Sequence, residues 1–293
     1  MSSIFKPLSF HSLLGNHQHL AGVGARDALD ARLIESAGFD FVWASSFCIS
    51  AANCVPDASI LSMTQFLDAA RRMKESVTIP VLFDADTGYG GENNVEYATQ
   101  RICEAGLSGL CIEDKNFPKQ TSLLPGASHS LVSVEEFSRK IKAAVASRSS
   151  RDFLVMARTE ALIAGMGESE ALDRSYAYQD AGAEALLIHS KSESPDEILS
   201  FVDAWKGHIP LAIVPTSYPT LTEDRVEELK KIKFVIYGNQ AVRAAIKGTQ
   251  TALNEIRRAR GAHTLNGQLA EMPTVFALQG ERRKETKTLL AEQ

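Results

Sequence analysis

The sequence predicts a (β/α)₈ barrel, because short apolar runs alternate with helical patterns along its length. Three segments repeat one pattern, in which a helix ends in Ala-Gly and a strand-like run follows at once: SAGFDFVWA (36–44), EAGLSGLCIED (104–114) and DAGAEALLIHS (180–190). Glycine suits the left-handed conformation that ends a helix, and near-continuous apolar runs are typical of parallel strands buried on both faces. Eight such runs indicate a closed barrel.

The predicted strands and helices alternate along the chain. Strands are predicted near residues 19–24, 36–44, 77–86, 104–114, 153–158, 180–190, 208–216 and 233–238, and helices near 27–37, 60–74, 92–105, 134–147, 168–181, 194–206, 222–231 and 239–259. An open doubly wound sheet is the alternative, but the first unit lacks the GxGxxG turn of such nucleotide-binding folds. We expect one domain over residues 1–293, with a helical C-terminal extension from about residue 260 that could pack on a neighbouring subunit.

Composition and charge argue against several classes of protein. The 293 residues include 31 basic and 36 acidic side chains, a formal net charge of −5 without a basic stripe, which argues against a nucleic-acid partner. The N-terminus lacks the apolar run of a signal peptide, and no stretch approaches the ~20 apolar residues of a membrane span. The four cysteines, Cys48, Cys54, Cys103 and Cys111, show no metal-binding or disulfide spacing. We therefore expect a cytoplasmic protein with free thiols and no membrane partner.

Acidic residues follow three of the predicted strands, at the end where catalytic groups of such barrels lie. Asp84 and Asp86 end the third strand, Glu113 ends the fourth, and Asp57 follows the second. Asp84 and Asp86 share parity, so both can turn to one side near the strand end. Mg²⁺ takes a few carboxylates and keeps several waters, and zinc-type clusters of His and Cys are absent from the sequence. The four acids together predict a magnesium site; the alternative for any single acid is a helix cap or an ion pair with Lys115.

Arg158 and His189 end the fifth and sixth predicted strands. A guanidinium matches carboxylate or phosphate-like oxygens with two parallel hydrogen bonds, which favours an anion clamp; an ion pair with one of the acids is the alternative. His189 is either catalytic or a satisfied structural residue. The segment 115–131 is too long for a simple connection, so it is interpreted as a lid over the site or else as a surface loop.

These residues together resemble the isocitrate lyase/phosphoenolpyruvate mutase superfamily over about residues 20–280. The most specific motifs are DADTGYG (84–90), EDKNFPKQTS (113–122), ARTEALIAGMG (157–167), LLIHSK (186–191) and IVPTSYP (213–219). The resemblance implies a (β/α)₈ barrel whose C-terminal helix is exchanged between subunits, in a homotetramer built as a dimer of dimers. It also implies Mg²⁺ held by Asp84 and, largely through waters, by Asp57, Asp86 and Glu113.

Within the superfamily, the loop after the fourth strand decides the reaction. Carbon–carbon lyases carry a catalytic cysteine in a Lys-Cys-Gly-His stretch, where this chain reads Lys119-Gln120-Thr121-Ser122. Lys-x-Asn-Ser is typical of phosphoenolpyruvate mutases and Lys-x-Thr-Ser of phosphonopyruvate hydrolases, so Thr121 favours the hydrolases. The implied reaction is hydrolysis of the P–C bond of phosphonopyruvate, a small-molecule substrate, to pyruvate and phosphate. The mutase reaction is the alternative, followed by a C–C lyase or decarboxylase acting on a 2-oxo or 2-hydroxy dicarboxylic acid, and then by a barrel without catalysis that serves as a binding subunit.

The resemblance also implies roles for individual residues. Arg158 and His189 would hold the phosphonyl group, while Lys119 and Thr121 would exclude or position water. The backbone near Ser45, Ser46 and Phe47 would hold the pyruvyl oxygens, and Trp43 and Ser122 would also contact the substrate.

Three positions depart from the pattern of the phosphonate enzymes. Ser46 stands where they usually have glycine, Arg26 lies in a stretch that replaces a His-Asn pair, and Gln240 stands where histidine is common. These departures leave a different 2-oxo acid open as the substrate.

Overall fold

Eight parallel strands pair in chain order and close into a barrel in the computed structural model, which describes residues 9–122 and 129–280. The strands are β1 (Leu20–Ala25), β2 (Phe41–Ala44), β3 (Val81–Asp84), β4 (Gly109–Glu113), β5 (Leu154–Thr159), β6 (Ala185–Ile188), β7 (Leu211–Ile213) and β8 (Ile232–Tyr237). β8 pairs back onto β1, where Leu20 lies beside Phe234. The predicted (β/α)₈ fold is confirmed, whereas exchange of the C-terminal helix between subunits stays a prediction. Part of the predicted lid, 123–128, and part of the predicted extension, 281–293, lie outside the described residues.

Eleven α-helices lie in the described residues, and most of them alternate with the strands along the chain. They are α1 (Phe10–Leu14), α2 (Ala28–Ser36), α3 (Ser46–Ala52), α4 (Met63–Ser76), α5 (Glu92–Glu104), α6 (Val134–Ser147), α7 (Gly167–Asp180), α8 (Asp196–Ala204), α9 (Glu223–Leu229), α10 (Gln240–Ala259) and α11 (Met272–Leu278), with a 3₁₀ turn at His263–Leu265. Helices α1 and α3 were not predicted from the sequence. None of the helices in the described ranges has both the length and the hydrophobicity needed to cross a bilayer.

Several helices begin at side chains that accept hydrogen bonds from the otherwise unpaired first N–H groups. The hydroxyl of Ser62 accepts from the Gln65 amide at the start of α4, and the Gln65 side chain accepts from the Ser62 amide in return, which completes a capping box. Asp27 caps α2 and Ser133 caps α6 in the same way. Local sequence therefore sets where these helices begin.

The period-two alternation of each strand divides the apolar side chains between two layers. Phe41 and Trp43 of β2 belong to a buried cluster inside the barrel, whereas Val42 and Ala44 belong to the cluster between strands and helices. Phe10 of α1 packs edge-on against Phe41, with ring centroids 5.4 Å apart. Since Phe41 is the first residue of its strand, α1 covers the amino-terminal end of the barrel, and the opposite end is left for polar groups.

Contacts divide the chain into two compact units, one ending at Val242 and the other beginning at Arg243. The second unit contains most of α10, the 3₁₀ turn and α11. Several large apolar side chains of this unit are exposed, among them Leu253 at 60%, Leu269 at 56% and Phe276 at 43%.

Gly24 of β1 provides a test of the barrel closure. A Cβ at this position would overlap the carbonyl oxygen of Gly238, which follows β8. We expect Gly24→Ala to lower the free energy of unfolding by about 1–3 kcal/mol, the usual cost of overpacking a close contact, in urea denaturation. Gly248→Ala is the control: a Cβ there would meet no described atom within 4 Å, so this helical substitution should stabilise by about 0.5–1 kcal/mol. An unchanged Gly24→Ala midpoint would contradict the close approach.

Candidate active site

A cavity of about 560 Å³ opens at the carboxyl ends of the strands. Its lining includes Trp43, Ser45, Ser46, Phe47, Asp57, Asp84, Lys119, Thr121, Ser122, Arg158 and His189, all of them predicted site residues. Strand parity explains the grouping: Leu82, Cys111, Met156 and Leu187 point into the barrel, so the residues two positions later in the chain point the same way. Those residues are Asp84, Glu113, Arg158 and His189.

Asp84 lies at the centre of the acidic side of the cavity. Its Oδ2 accepts hydrogen bonds from the backbone amide of Ser46 at 3.2 Å and from the Ser46 hydroxyl at 2.8 Å. Burial raises the pKa of Asp84, although the positive charges of Lys119 and Arg158 oppose that rise. Both donors of Ser46 are therefore used by Asp84 in this structure.

Lys119 joins the other acids on this side. Its Nζ lies 2.9 Å from Asp57 Oδ1 and 2.6 Å from Asp86 Oδ1, and it donates to the Ser46 hydroxyl at 3.1 Å. Burial lowers the pKa of Lys119, but the combined charge of Asp86, Asp57 and Glu113 outweighs this and holds it well above its usual range. Lys119 is thus a buried ammonium that neutralises two carboxylates.

The acidic side has the chemistry of a site for a hard divalent cation. Oδ1 of Asp57, Oδ1 of Asp86 and Oε1 of Glu113 are buried, and apart from the Lys119 ammonium beside the two Asp oxygens they have no hydrogen-bond partner among the described residues. Burial raises the pKa of Asp86 to about 7, with the neighbouring carboxylates adding to the effect. In the described ranges, no three His, Cys, Asp or Glu side chains converge closely enough to bind one ion directly. The residues therefore fit an ion that keeps most of its waters, as Mg²⁺ does, better than one enclosed by protein ligands.

Arg158 and His189 form the cationic side of the cavity, and Glu160 holds them together. Arg158 Nε donates to Glu160 Oε1 at 2.5 Å and lies 3.3 Å from Glu113 Oε2. His189 Nδ1 lies 2.8 Å from Arg158 Nη2 and 3.0 Å from Glu160 Oε1. Burial and the charge of Arg158 lower the pKa of His189, so its imidazole is neutral at neutral pH. Despite its burial, Glu160 has a pKa well below the usual range, because Arg158, His189 and Lys115 surround it.

The loop after β4 approaches both sides of the cavity. Thr121 Oγ1 donates to the carbonyl oxygen of Asp57 at 2.8 Å. The Ser122 hydroxyl donates to Glu160 Oε2 at 2.6 Å and accepts from Lys115 Nζ at 2.5 Å and Arg158 Nη2 at 3.1 Å. The described part of the predicted lid is therefore held at the cavity by polar contacts.

The structure brings the predicted site residues together. Asp86 and Glu113 are not part of the lining, but both are buried beside it, where Asp86 contacts Lys119 and Glu113 contacts Arg158. The roles of all the predicted site residues, as catalytic residues, substrate contacts or metal ligands, stay predictions.

Glu160 was not among the predicted site residues, and Lys115 was predicted only as a possible ion-pair partner. The signal for Glu160 was its spacing from Arg158, since residues two apart share a face near a strand end. Its partners Lys115 and Ser122 come from a loop about 40 residues earlier, so the cluster could not be derived from local spacing.

A closed barrel with buried carboxylates, an arginine and a histidine around one cavity at its carboxyl end defines an enzyme of the (β/α)₈ class. The family described as phosphoenolpyruvate phosphomutase matches residues 10–257, and the chain belongs to this family. This match confirms the predicted superfamily. It also confirms the prediction that the protein is an enzyme of the phosphonopyruvate hydrolase and phosphoenolpyruvate mutase kind.

Three known proteins show how close the similarity is. The phosphonopyruvate hydrolase of Variovorax sp. (strain Pal2) is 45% identical over 278 residues, covering 95% of this chain and 96% of that protein. The structure of a phosphonopyruvate hydrolase in complex with oxalate and Mg²⁺ has a TM-score of 0.85 at 45% identity, covering 89% of this chain and 90% of that one. The crystal structure of the phosphoenolpyruvate phosphomutase from Streptomyces platensis subsp. rosaceus has a TM-score of 0.90 at 41% identity, covering 92% and 93%.

The raised pKa of Asp86 predicts a pH-dependent stability of the metal-free protein. Because its pKa in the fold, about 7, exceeds the ordinary 3.8, its contribution to stability is present below about pH 4 and is lost as the pH rises through about 7. We expect the free energy of unfolding in EDTA, measured with urea, to fall between about pH 4 and 8 more steeply in the wild type than in Asp86→Asn. Asp68→Asn, at a half-exposed position, should keep the wild-type slope. Equal slopes for Asp86→Asn and the wild type would contradict this prediction.

Proposed function

We propose that the protein hydrolyses the P–C bond of phosphonopyruvate to give pyruvate and phosphate. The observation that carries the proposal is the cavity itself, in which an acidic side and an arginine–histidine side face one space and Thr121 lies on the loop between them. A three-carbon substrate with a carboxylate and a 2-oxo group at one end and a phosphonyl group at the other matches that division. The extent of the similarity to the Variovorax phosphonopyruvate hydrolase supports the same reaction.

The acidic side is proposed to hold Mg²⁺, with Asp84 as the direct ligand and Asp57, Asp86 and Glu113 binding through waters. The gathering of these buried carboxylates at one side of the cavity supports this assignment, as does the Mg²⁺ in the related hydrolase. When bound, the ion supplies positive charge that stabilises the enolate oxygen of the pyruvyl group. The backbone at Ser45–Phe47 and the indole of Trp43 form the adjoining wall.

Arg158 and His189 hold the phosphonyl end of the substrate. A guanidinium supplies planar, charged donors for phosphonyl oxygens, and the orientation of Arg158 is set by Glu160 and Glu113. A neutral His189 can donate one hydrogen bond from one ring nitrogen while it accepts at the other. As the P–C bond breaks, its electron pair passes to carbon, which becomes the enolate of pyruvate, and the oxygen of water bonds to phosphorus. One proton of that water ends on the enolate carbon to give pyruvate, and the other stays with the phosphate.

The loop decides the fate of the phosphoryl group. Lys119 and Thr121 line the cavity, and both are tied to Asp57. In a mutase the phosphoryl group must be retained until it returns to oxygen, whereas in a hydrolase water must reach it. Thr121 is the side chain proposed to admit and position that water. Phosphoenolpyruvate mutase activity is the second candidate, favoured by the similarity to the Streptomyces platensis phosphomutase.

We also propose that the second compact unit packs against another copy of the chain in a homotetramer. The exposed apolar side chains of this unit, including Leu253, Leu269 and Phe276, support an interface there. A cytoplasmic location stays a prediction.

Phosphorus NMR of a reaction with phosphonopyruvate tests the proposed function. With Mg²⁺ the wild type should convert the phosphonate resonance to inorganic phosphate, with pyruvate formed in equal amount. Excess EDTA should stop the reaction, and Asp84→Ala should lower kcat at least about 10³-fold, because charge stabilisation at the reacting centre is lost. Circular dichroism should show that Asp84→Ala stays folded, and exposed Asp68→Asn is the matched control. Phosphoenolpyruvate as the sole product would establish the mutase, and undiminished activity of Asp84→Ala would remove the metal assignment.

Thr121→Asn tests the role of the loop in choosing the product. An amide that occupies the position of the Thr121 hydroxyl should hinder water at the phosphoryl group, so the product ratio should shift from pyruvate toward phosphoenolpyruvate. Phosphorus NMR measures both products in one sample. Gln120→Asn, at the neighbouring cavity position, is the control and should leave the ratio unchanged. If Thr121→Asn slows the reaction without changing the ratio, the residue does not control access of water.

A further inference from the structure

Glu160 is a buried carboxylate whose two oxygens contact different parts of the site. Oε1 accepts from Arg158 Nε at 2.5 Å and lies 3.0 Å from His189 Nδ1. Oε2 accepts from the Ser122 hydroxyl at 2.6 Å and lies 3.0 Å from Lys115 Nζ. One oxygen therefore contacts the arginine–histidine pair, and the other contacts the segment 115–122, which we call the cavity loop.

The backbone of Glu160 is fixed by a second buried carboxylate. Asp114 Oδ1 accepts from the Glu160 amide at 2.8 Å, while Asp114 Oδ2 accepts from the Tyr178 hydroxyl at 2.7 Å and lies 3.2 Å from Arg174 Nη1. Asp114 and Glu160 are both fully buried. Glu160 thus has little freedom to follow either set of partners if they move.

Ser122 gives the two sets of contacts a common member. Its hydroxyl donates to Glu160 and accepts from both Lys115 and Arg158. Displacement of the cavity loop would leave Glu160 Oε2 without two partners and Arg158 Nη2 without one. Opening of the loop would therefore cost free energy, because buried polar groups of Glu160 and Arg158 would lose hydrogen-bond partners.

We propose that Glu160 is a positioning residue that couples the placement of the cavity loop to the orientation of Arg158 and His189. A carboxylate that merely neutralised Arg158 would not need its second oxygen on the loop, and Glu113 already lies 3.3 Å from Arg158. The coupling favours the phosphonyl-binding geometry of Arg158 and His189 when the loop covers the cavity. The effect on phosphonyl binding rests on the proposed function, whereas the contacts between Glu160 and the cavity loop do not.

Native-state proteolysis tests the loop half of the proposal without any substrate. Lys115 and Lys119 are 2% and 7% exposed, so trypsin cleaves after them only when the loop opens. We expect Glu160→Gln and Ser122→Ala each to speed cleavage at these sites about tenfold or more, as located by mass spectrometry. Because both act through one contact, the double variant should be little faster than either single one.

Glu184→Gln is the matched control. Glu184 is also a carboxylate that pairs with an arginine and a histidine, since it lies 2.6 Å from Arg148 Nη1 and 3.6 Å from His11 Nε2. It precedes β6, at the opposite end of the barrel from the cavity. Its substitution should change the melting temperature without changing cleavage in the loop.

Kinetics with phosphonopyruvate test whether Glu160 also orients Arg158 and His189. Glu160→Gln should lower kcat about tenfold to a hundredfold, as expected for a lost charge-assisted hydrogen bond, with a change in KM of less than about threefold. Ser122→Ala should lower kcat in the same direction, and the two effects should not multiply in the double variant.

The outcomes separate this proposal from the proposed function. Loop cleavage at the wild-type rate in folded Glu160→Gln, or effects of the two substitutions that multiply independently, would overturn the coupling. If Glu160→Gln does not fold, Ser122→Ala alone decides: cleavage at the wild-type rate would overturn it. If the wild type releases no phosphate, the proposed function is wrong. The proteolysis experiment still tests the contact between Glu160 and the cavity loop, because it needs no substrate.

Discussion

The structure of the site depends on a balance of buried charge at the carboxyl end of the barrel. Asp57 and Asp86 face Lys119, and Glu160 faces Arg158 and Lys115, each within 3.0 Å. Removing an ion from water costs several kcal/mol, which close partners with further hydrogen bonds can offset. Loss of one partner leaves the other buried and uncompensated. The positions of these charged groups are therefore fixed by one another, and the apolar strands supply the rigid frame beneath them.

Strand positions and the acids at strand ends could be predicted from sequence, because period-two alternation determines which side chains enter the barrel. Asp84 and Arg158 were predicted at strand ends, and both line the cavity. Helix α3 was missed because its sequence, SFCISAA, directly follows β2 and reads as more of the same apolar run, although Ser45 carries a capping signal. The cluster of contacts around Glu160 could not be predicted from sequence, because its partner Ser122 lies 38 residues away in the chain.

The three departures from the family pattern have different structural consequences. Ser46 contributes a hydroxyl that donates to Asp84 and accepts from Lys119, so it joins the polar network rather than simply narrowing the cavity. Arg26 pairs with Asp27 and Asp30 and does not belong to the cavity lining. Gln240 accepts from the amide of Asn239, which does line the cavity. Ser46 is thus the departure that directly alters the surroundings of Asp84.

The two halves of the barrel contribute different groups to the cavity. Every charged side chain of the described lining comes from β2 to β5 and their connections, whereas the later strands supply His189, Val214, Thr216 and Asn239. The charged half is interlocked, so a change at one position disturbs several others. His189 is joined to that charged half through Glu160 and Arg158, whereas Val214, Thr216 and Asn239 belong to none of its ion pairs. Descendants of a common ancestor therefore have a route to new substrates through the connections after β7 and β8, with the charged half inherited unchanged.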